Sequence, residues 1–389
     1  VLPPTPEIGR ELRIIDNIGA DFIEGEFDGL TQGQTVVTES NHRRYEYVVN
    51  YFGGTGNDLV LQWKNVWMMA WGSNSSLVLG IGSSSSQFSP VPVKVPGALI
   101  GKTVIQMATG KSNSWALCSD GSLFTWGDGV GQPTLFDVSG TALEGKRIVF
   151  IAAGSRHRLA LCSDGTVAAW GENSYGQLGT GVAGPNVATP TLVNVAAGSA
   201  LAGRRVVAIA VGDWHSLALC SDGGLVSWGR NSKGQVGDTT TTDRPLPVRV
   251  TPPAGLGPVH TVAIAAAGEH STAILSTGRV ITWGSNYHGE DSSGSYYGGS
   301  GNSTYPHALS VTDVGSALFG RLVKKVDVGT AFCSAICDDG SLVAWGEGIA
   351  LAKGTTTDSY DPVEINSGAL IGRSVREIAT GTRYQLALC

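Results

Sequence analysis

Short apolar runs separated by Gly-, Ser- and Asp-rich turns fill most of this 389-residue chain, and they recur in a fixed order. One copy shows the order well. Gly154 to His157 leads into Leu159-Ala160-Leu161-Cys162, then Ser163-Asp164-Gly165, then Val167 to Trp170-Gly171. Asp-Gly between two apolar runs predicts a tight hairpin, because both turn residues tolerate positive φ. A further run precedes the hairpin, as in Val206 to Ala210, and a Pro-x-x-Val run follows it, as in Pro190 to Val193 and Pro247 to Val250. Each copy therefore offers four strands. One such sheet cannot bury both faces, but a succession of them can.

The repeat register assigns roles to its residues. Trp-Gly closes a strand at Trp71, Trp126, Trp170, Trp228, Trp283 and Trp345, with spacings of 44 to 62 residues, and all six indoles are expected in the core. Cys118, Cys162, Cys220, Cys337 and Cys389 share one position with Leu275, which marks a buried apolar slot. Cys333 stands outside that register, and no disulfide is expected between neighbouring copies. His157, His215 and His270 follow the repeat glycine and read as packing residues rather than ligands. Asp120, Asp164, Asp222 and Asp339 are hairpin residues rather than paired catalytic carboxylates.

The pattern Gly-x-x-His-Ser-Leu-Ala-Leu, Asp-Gly, Trp-Gly-x-Asn-x-x-Gly-Gln-Leu-Gly resembles the regulator-of-chromosome-condensation repeat over residues 64–389. The resemblance implies an all-β fold, a β-propeller of four-stranded blades, usually seven of them. The chain supplies six Trp-Gly strands. Val66 to Trp71 lacks a preceding Leu-Ala-Leu-Cys strand, and Leu386 to Cys389 lacks a following Trp-Gly strand. Pairing of these two strands would close a six-bladed ring; the rival expectation is a fragment of a seven-bladed one.

Residues 1–63 hold no repeat. Leu12 to Ile15, Phe22 to Phe27, Thr35 to Thr38, Arg44 to Tyr51 and Leu59 to Trp63 predict a small all-β module. Leu12 to Asn17, Gly25 to Leu30 and Gly53 to Leu61 are similar to autotransporter-associated β-strand segments of large bacterial surface proteins. That resemblance implies an extracellular or cell-surface bacterial setting. A start at Val1 rather than Met reads as a processed product or an excerpt.

Composition narrows the function. Charged residues are 15% and the formal net charge is −6, with no long Lys/Arg run, which argues against nucleic acid. No apolar stretch is long enough to span a membrane as a helix. There is no nucleophile elbow, Walker loop, dinucleotide fingerprint or zinc spacing, so no enzyme and no cofactor are expected. Gly53 to Val60 fits a calcium nonapeptide in a single copy, which makes Asp58 a weak metal candidate beside a plain hairpin turn. Light sensing, known in one plant member of the resembled family, would need a repeated Trp/Arg cluster; only Trp115 and Trp214 lie near the relevant register.

The repeat is most irregular at Tyr287 to Tyr305. Tyr287, His288, Tyr296, Tyr297 and Tyr305 are candidate partner-binding residues there, and Asn74 is another in the loop Gly72 to Gly82. The expected function is a non-enzymatic protein-interaction or structural scaffold with a protein partner. The alternatives are a self-assembling extracellular filament or layer, built from a homo-oligomer, and an exchange factor for a small GTPase.

Overall fold

The structure is a computed structural model that describes residues 12–15, 34–40, 43–53, 58–63, 68–100, 102–253, 259–290, 304–310, 316–351 and 355–389. Apart from short 3-10 turns, the described elements are strands. Strands β1 (Leu12–Ile15), β2 (Thr35–Ser40), β3 (Arg43–Gly53) and β4 (Asp58–Trp63) form one antiparallel sheet in the order β1-β4-β3-β2. Among the described side chains, Tyr47, Val49 and Leu61 are buried in it. The expected strand at 22–27 lies outside the described residues.

The repeats follow. Strands β5 (Met69–Gly72) and β6 (Gln87–Pro92) form a two-stranded sheet. Next come β7 (Val104–Thr109), β8 (Asn113–Cys118), β9 (Leu123–Gly127) and β10 (Val130–Leu135) in a four-stranded meander. Strands β11 (Ile148–Ala153), β12 (His157–Cys162), β13 (Val167–Asn173) and β14 (Gly184–Leu192) repeat the pattern. So do β15 (Val206–Val211), β16 (His215–Cys220), β17 (Leu225–Gly229) and β18 (Arg244–Arg249). Then come β19 (Thr261–Ala267), β20 (His270–Leu275), β21 (Val280–Ser285) and β22 (Thr304–Ser310). The last full set is β23 (Val323–Val328), β24 (Phe332–Cys337), β25 (Leu342–Gly346) and β26 (Ser359–Glu364), followed by the pair β27 (Glu377–Thr380) and β28 (Gln385–Leu388).

Two compact units divide the chain: Val1–Ala168 with Thr189–Thr191, and Ala169–Ala188 with Leu192–Cys389. Within each, successive sheets bury facing apolar side chains. In the first unit, Met68 and Val93 pack with Ala116, Phe124 and Trp126. In the second, Leu217 and Leu225 pack with Ala273, Ile281 and Trp283. Ile274 and Val280 pack with Val326 and Trp345, and Phe332 and Ile336 with Val375 and Ile378.

The Trp-Gly glycine is fixed by backbone contact. Gly229 has φ +105°, and a Cβ there would lie 2.6 Å from the Trp214 carbonyl oxygen. Gly284 (+111°) and Gly346 (+107°) meet the Glu269 and Ala331 carbonyls at 2.5 Å in the same way. The ladder to the fourth strand slips between the residue before Trp and this glycine, for example between Ser227 and Gly229. Only glycine combines that positive φ with so close a neighbour.

Two expectations need correction. Trp71 is not core: it is 52% exposed, whereas Trp126, Trp228, Trp283 and Trp345 are at most 2% exposed. The indoles of Trp126, Trp228, Trp283 and Trp345 each donate to a carbonyl in a loop of the preceding repeat, whereas residues 1–63, ahead of Trp71, hold no repeat. Cys389 is exposed, although Cys118, Cys162, Cys220 and Cys337 are buried in the shared slot as expected. The pairing expected between Leu386–Cys389 and Val66–Trp71 is not among the strand pairs of the described residues; β28 pairs with β27 and β5 with β6.

Candidate functional site

Most recurring polar residues serve the scaffold. Trp228 Nε1 donates to the Gln177 carbonyl at 2.9 Å, and Ser216 Oγ donates to the same oxygen at 2.9 Å. Trp283 and Ser271 share the Gln235 carbonyl at 2.9 and 3.1 Å, and Trp126 and Ser114 share that of Val78 at 2.7 and 2.9 Å. At β24 a cysteine replaces the serine: Trp345 donates to the Glu290 carbonyl at 2.9 Å, with Cys333 Sγ 3.8 Å away. The loop that offers the carbonyl is stapled by its own asparagine. Asn173 Oδ1 accepts from Leu178 N at 3.1 Å and Asn231 Oδ1 from Val236 N at 2.9 Å.

Asn74 is the same staple. It is 0% exposed, accepts from Leu79 N at 2.9 Å and donates to the Ser83 carbonyl at 2.6 Å. It belongs to the scaffold, not to a contact surface. The histidines also sit where packing needs them. His157, His215 and His270 are at most 1% exposed. A Cβ on Gly212 would lie 2.2 Å from the His215 ring, which explains the glycine three residues earlier. Burial pushes the His157 pKa down to about 3, helped by the Arg158 charge, and that of His270 down to about 4. Burial likewise pushes the Cys162 thiol up to about 12, so it is no nucleophile at neutral pH.

The second strand begins, and the Trp-Gly strand ends, at one end of each sheet, as the His215–Gly229 pairing shows. Residues there vary between repeats. In the second unit Arg230 pairs with Glu269 at 2.8 Å and lies over the Tyr175 ring at 5.1 Å. Tyr175 meets Trp214 edge to face at 5.3 Å. Further along, His288 Nδ1 lies 2.9 Å from Asp358 Oδ2, and the Tyr287 ring packs edge-on against His288 at 4.7 Å. Tyr287 is 63% exposed. Glu347 pairs with Arg383 at 3.0 Å, the reverse polarity of Arg230–Glu269 at the corresponding register. Aromatic rings held by neighbours and arginines held by carboxylates form a preordered surface of the residue types enriched in binding hot spots.

The RCC1-like domain model matches residues 31–315. The chain belongs to the RCC1-like domain family. The RCC1-like chain is 27% identical to the ultraviolet-B receptor UVR8 of Arabidopsis thaliana over 344 residues, 88% of this chain and 62% of that protein. It is 30% identical over 187 residues to the E3 ubiquitin-protein ligase HERC2 of Homo sapiens, 48% of this chain and 4% of the ligase. It thus spans less than two thirds of either relative. Among solved structures, Prp20p of Saccharomyces cerevisiae, described with its binding to Gsp1p and histones, superposes with a TM-score of 0.67 at 23% identity, covering 88% of this chain and 80% of that one. Human WBSCR16 gives 0.66 at 23% identity, covering 85% and 81%. These two likenesses bear on the fold.

Of the sequence candidates, Tyr287 and His288 lie together on this RCC1-like surface. Tyr305 is in β22 opposite Gly284. Tyr296 and Tyr297 lie outside the described residues. Asp58 opens β4 opposite Gly53, and residues 54–57 of that turn lie outside them as well. Sequence reasoning missed Tyr175, Arg230, Glu269, Asp358, Glu347 and Arg383. The signal available was variability: these residues fall beside invariant repeat positions yet differ from copy to copy.

Proposed function

We propose that the chain is a non-enzymatic protein-binding propeller that presents the Trp-Gly end of its sheets to a protein partner. The observation that carries this reading is the contact set Tyr175–Trp214–Arg230–Glu269. It offers Trp, Tyr and Arg side chains already held in place, so ordering them on binding costs little entropy. Tyr287 and His288 extend the same kind of surface toward Asp358. Carboxylates and arginines there are engaged with each other, which suits recognition rather than proton transfer.

The experiment is crosslinking of the purified chain in extract of its source cells, identification of the captured protein, and affinity measurement with that protein. Trp214→Ala and Tyr287→Ala are each expected to weaken binding by roughly tenfold or more. Equal affinity of both variants and the parent would refute the reading. A secreted, surface-exposed setting is proposed from the sequence of the N-terminal segment alone, and fractionation of the source cells tests it.

A further inference from the structure

The first strand of each four-stranded repeat sheet is an edge strand: β15 pairs with β16 alone and β19 with β20 alone. Every second backbone N–H and C=O along its other edge therefore points away from the ladder. Side chains take up some of these groups. In the first unit, Gln106 on β7 grips β11 at two points: Nε2 donates to the Ile151 carbonyl at 3.0 Å, and Oε1 accepts from Ile151 N at 2.9 Å. In the second unit, Asp327 on β23 accepts from Val328 N at 3.0 Å and from Thr380 N on β27 at 2.9 Å.

The register carries these places over to β15 and β19. Just past a bulge, Ala208 pairs with Leu219 as Gln106 does with Leu117. Ile264 pairs with Ala273 as Ile151 does with Ala160. Ala210 pairs with Leu217 as Asp327 does with Ser334, and Ala266 pairs with Ser271 as Val328 does with Cys333. Alanines thus stand where Gln106 and Asp327 stand, and an alanine side chain ends at Cβ. Among the described residues, nothing bonds the outward N–H and C=O of Ile264 or the outward N–H of Ala266. Ala208, Ala210, Ile264 and Ala266 are half-buried, whereas every residue of β16 is buried. Ala210, Ile264 and Ala266 pack on one apolar cluster, so β15 and β19 lie side by side here.

We propose that the open edge of β19, beside Ala208 and Ala210, binds the primary carboxamide of a glutamine or asparagine side chain carried by a protein partner. The ligand repeats what Gln106 does within the fold. Its N–H donates to the Ile264 carbonyl and its oxygen accepts from Ile264 N, with the Ala266 N–H a second donor nearby. The two alanines leave the room that a longer side chain would take. The chemistry is selective. A carboxylate would set its oxygens against the Ile264 carbonyl with no proton between them, and an alkyl group would leave both backbone groups unpaired. The site uses no residue of the Trp214 and Tyr287 surface, so it is independent of the reading given for that surface.

Backbone amide NMR spectra of the full chain, titrated with propanamide, test the proposal; propanamide is the glutamine side chain cut free. The Ile264 and Ala266 amides are expected to shift and saturate. Butan-2-one, which keeps the carbonyl but lacks the N–H, should bind roughly fivefold or more weakly. Ala208→Gln copies Gln106, and it should weaken propanamide roughly tenfold or more while slowing hydrogen exchange at Ile264. Gln106→Ala should open a matching site, so that propanamide now shifts the Ile151 amide; this variant keeps the test decisive if Ala208→Gln melts early. The peptide acetyl-Gly-Gln-Gly-methylamide should shift Ile264 as propanamide does, and the same peptide with Leu for Gln should not. The proposal is overturned if propanamide leaves Ile264 unmoved, if it binds Ala208→Gln as tightly as the parent, or if butan-2-one matches it. Propanamide binding without selective binding of the glutamine peptide overturns the protein partner as occupant.

Discussion

Trp228 and Trp71 occupy the same repeat position and differ only in what covers them. Trp228 is 0% exposed and donates to the Gln177 carbonyl, while Trp71 is 52% exposed. Trp228→Phe is therefore expected to cost about 1–3 kcal/mol, and Trp71→Phe close to nothing, in denaturant unfolding. Cys333 is the odd member of a serine position. Cys333→Ser would give the Glu290 carbonyl the hydroxyl donor that Gln177 and Gln235 already have. A gain of up to about 1 kcal/mol is expected, read as a raised melting temperature. Both cases show where the sequence was legible and where it stopped. The tryptophan position was plain from Trp-Gly, but these indoles bond to a loop some fifty residues earlier (48 for Trp126 and Trp283, 55 for Trp345), which no local pattern displays.

At the scale of the strand and turn, the glycines separate into those the fold requires and those it tolerates. A Cβ on Gly229 would meet the Trp214 carbonyl at 2.6 Å with φ at +105°, whereas Gly184 has open space and an ordinary φ. Gly229→Ala should destabilise by about 2 kcal/mol or more and Gly184→Ala by less than about 1, measured by chemical denaturation. The turn charge pairs have a smaller effect. Burial works to raise the Asp164 pKa, but hydrogen bonds from Lys146 and Thr166 outweigh it and leave the carboxyl below its usual range. The two side chains are 30% and 49% exposed, so Lys146→Ala should change stability by less than about 1 kcal/mol. Strand positions and Asp-Gly turns were readable from alternation and turn chemistry. The basic partner 18 residues earlier was not, because it lies in a loop where no hydrophobic period marks it.

For the whole chain, the buried histidines set the acid limit. Their folded-state pKa values, about 3 for His157 and about 4 for His270, lie below the ordinary 6.5. The unfolded chain therefore takes up protons that the folded chain refuses. Stability is full above about pH 6.5 and falls as pH drops toward 4, by about 1.4 kcal/mol per pH unit for each histidine. Changing both to Asn, the residue that Asn113 supplies at this position, should flatten the decline in urea midpoints between these pH values. Family membership was legible because scaffold residues recur in register. The contact surface was not, because its residues differ in every copy and come together only when neighbouring repeats are folded.

The indole-to-carbonyl bonds all run in one direction: Trp126 to Val78, Trp228 to Gln177, Trp283 to Gln235 and Trp345 to Glu290. At these four places a loop is locked by the repeat made after it. On the ribosome the nascent chain must trail one unfinished sheet behind the exit tunnel at every stage of synthesis. A pause in translation just before a Trp-Gly codon pair would leave the previous loop unlatched, and that loop is where protease or chaperone would first engage the growing chain.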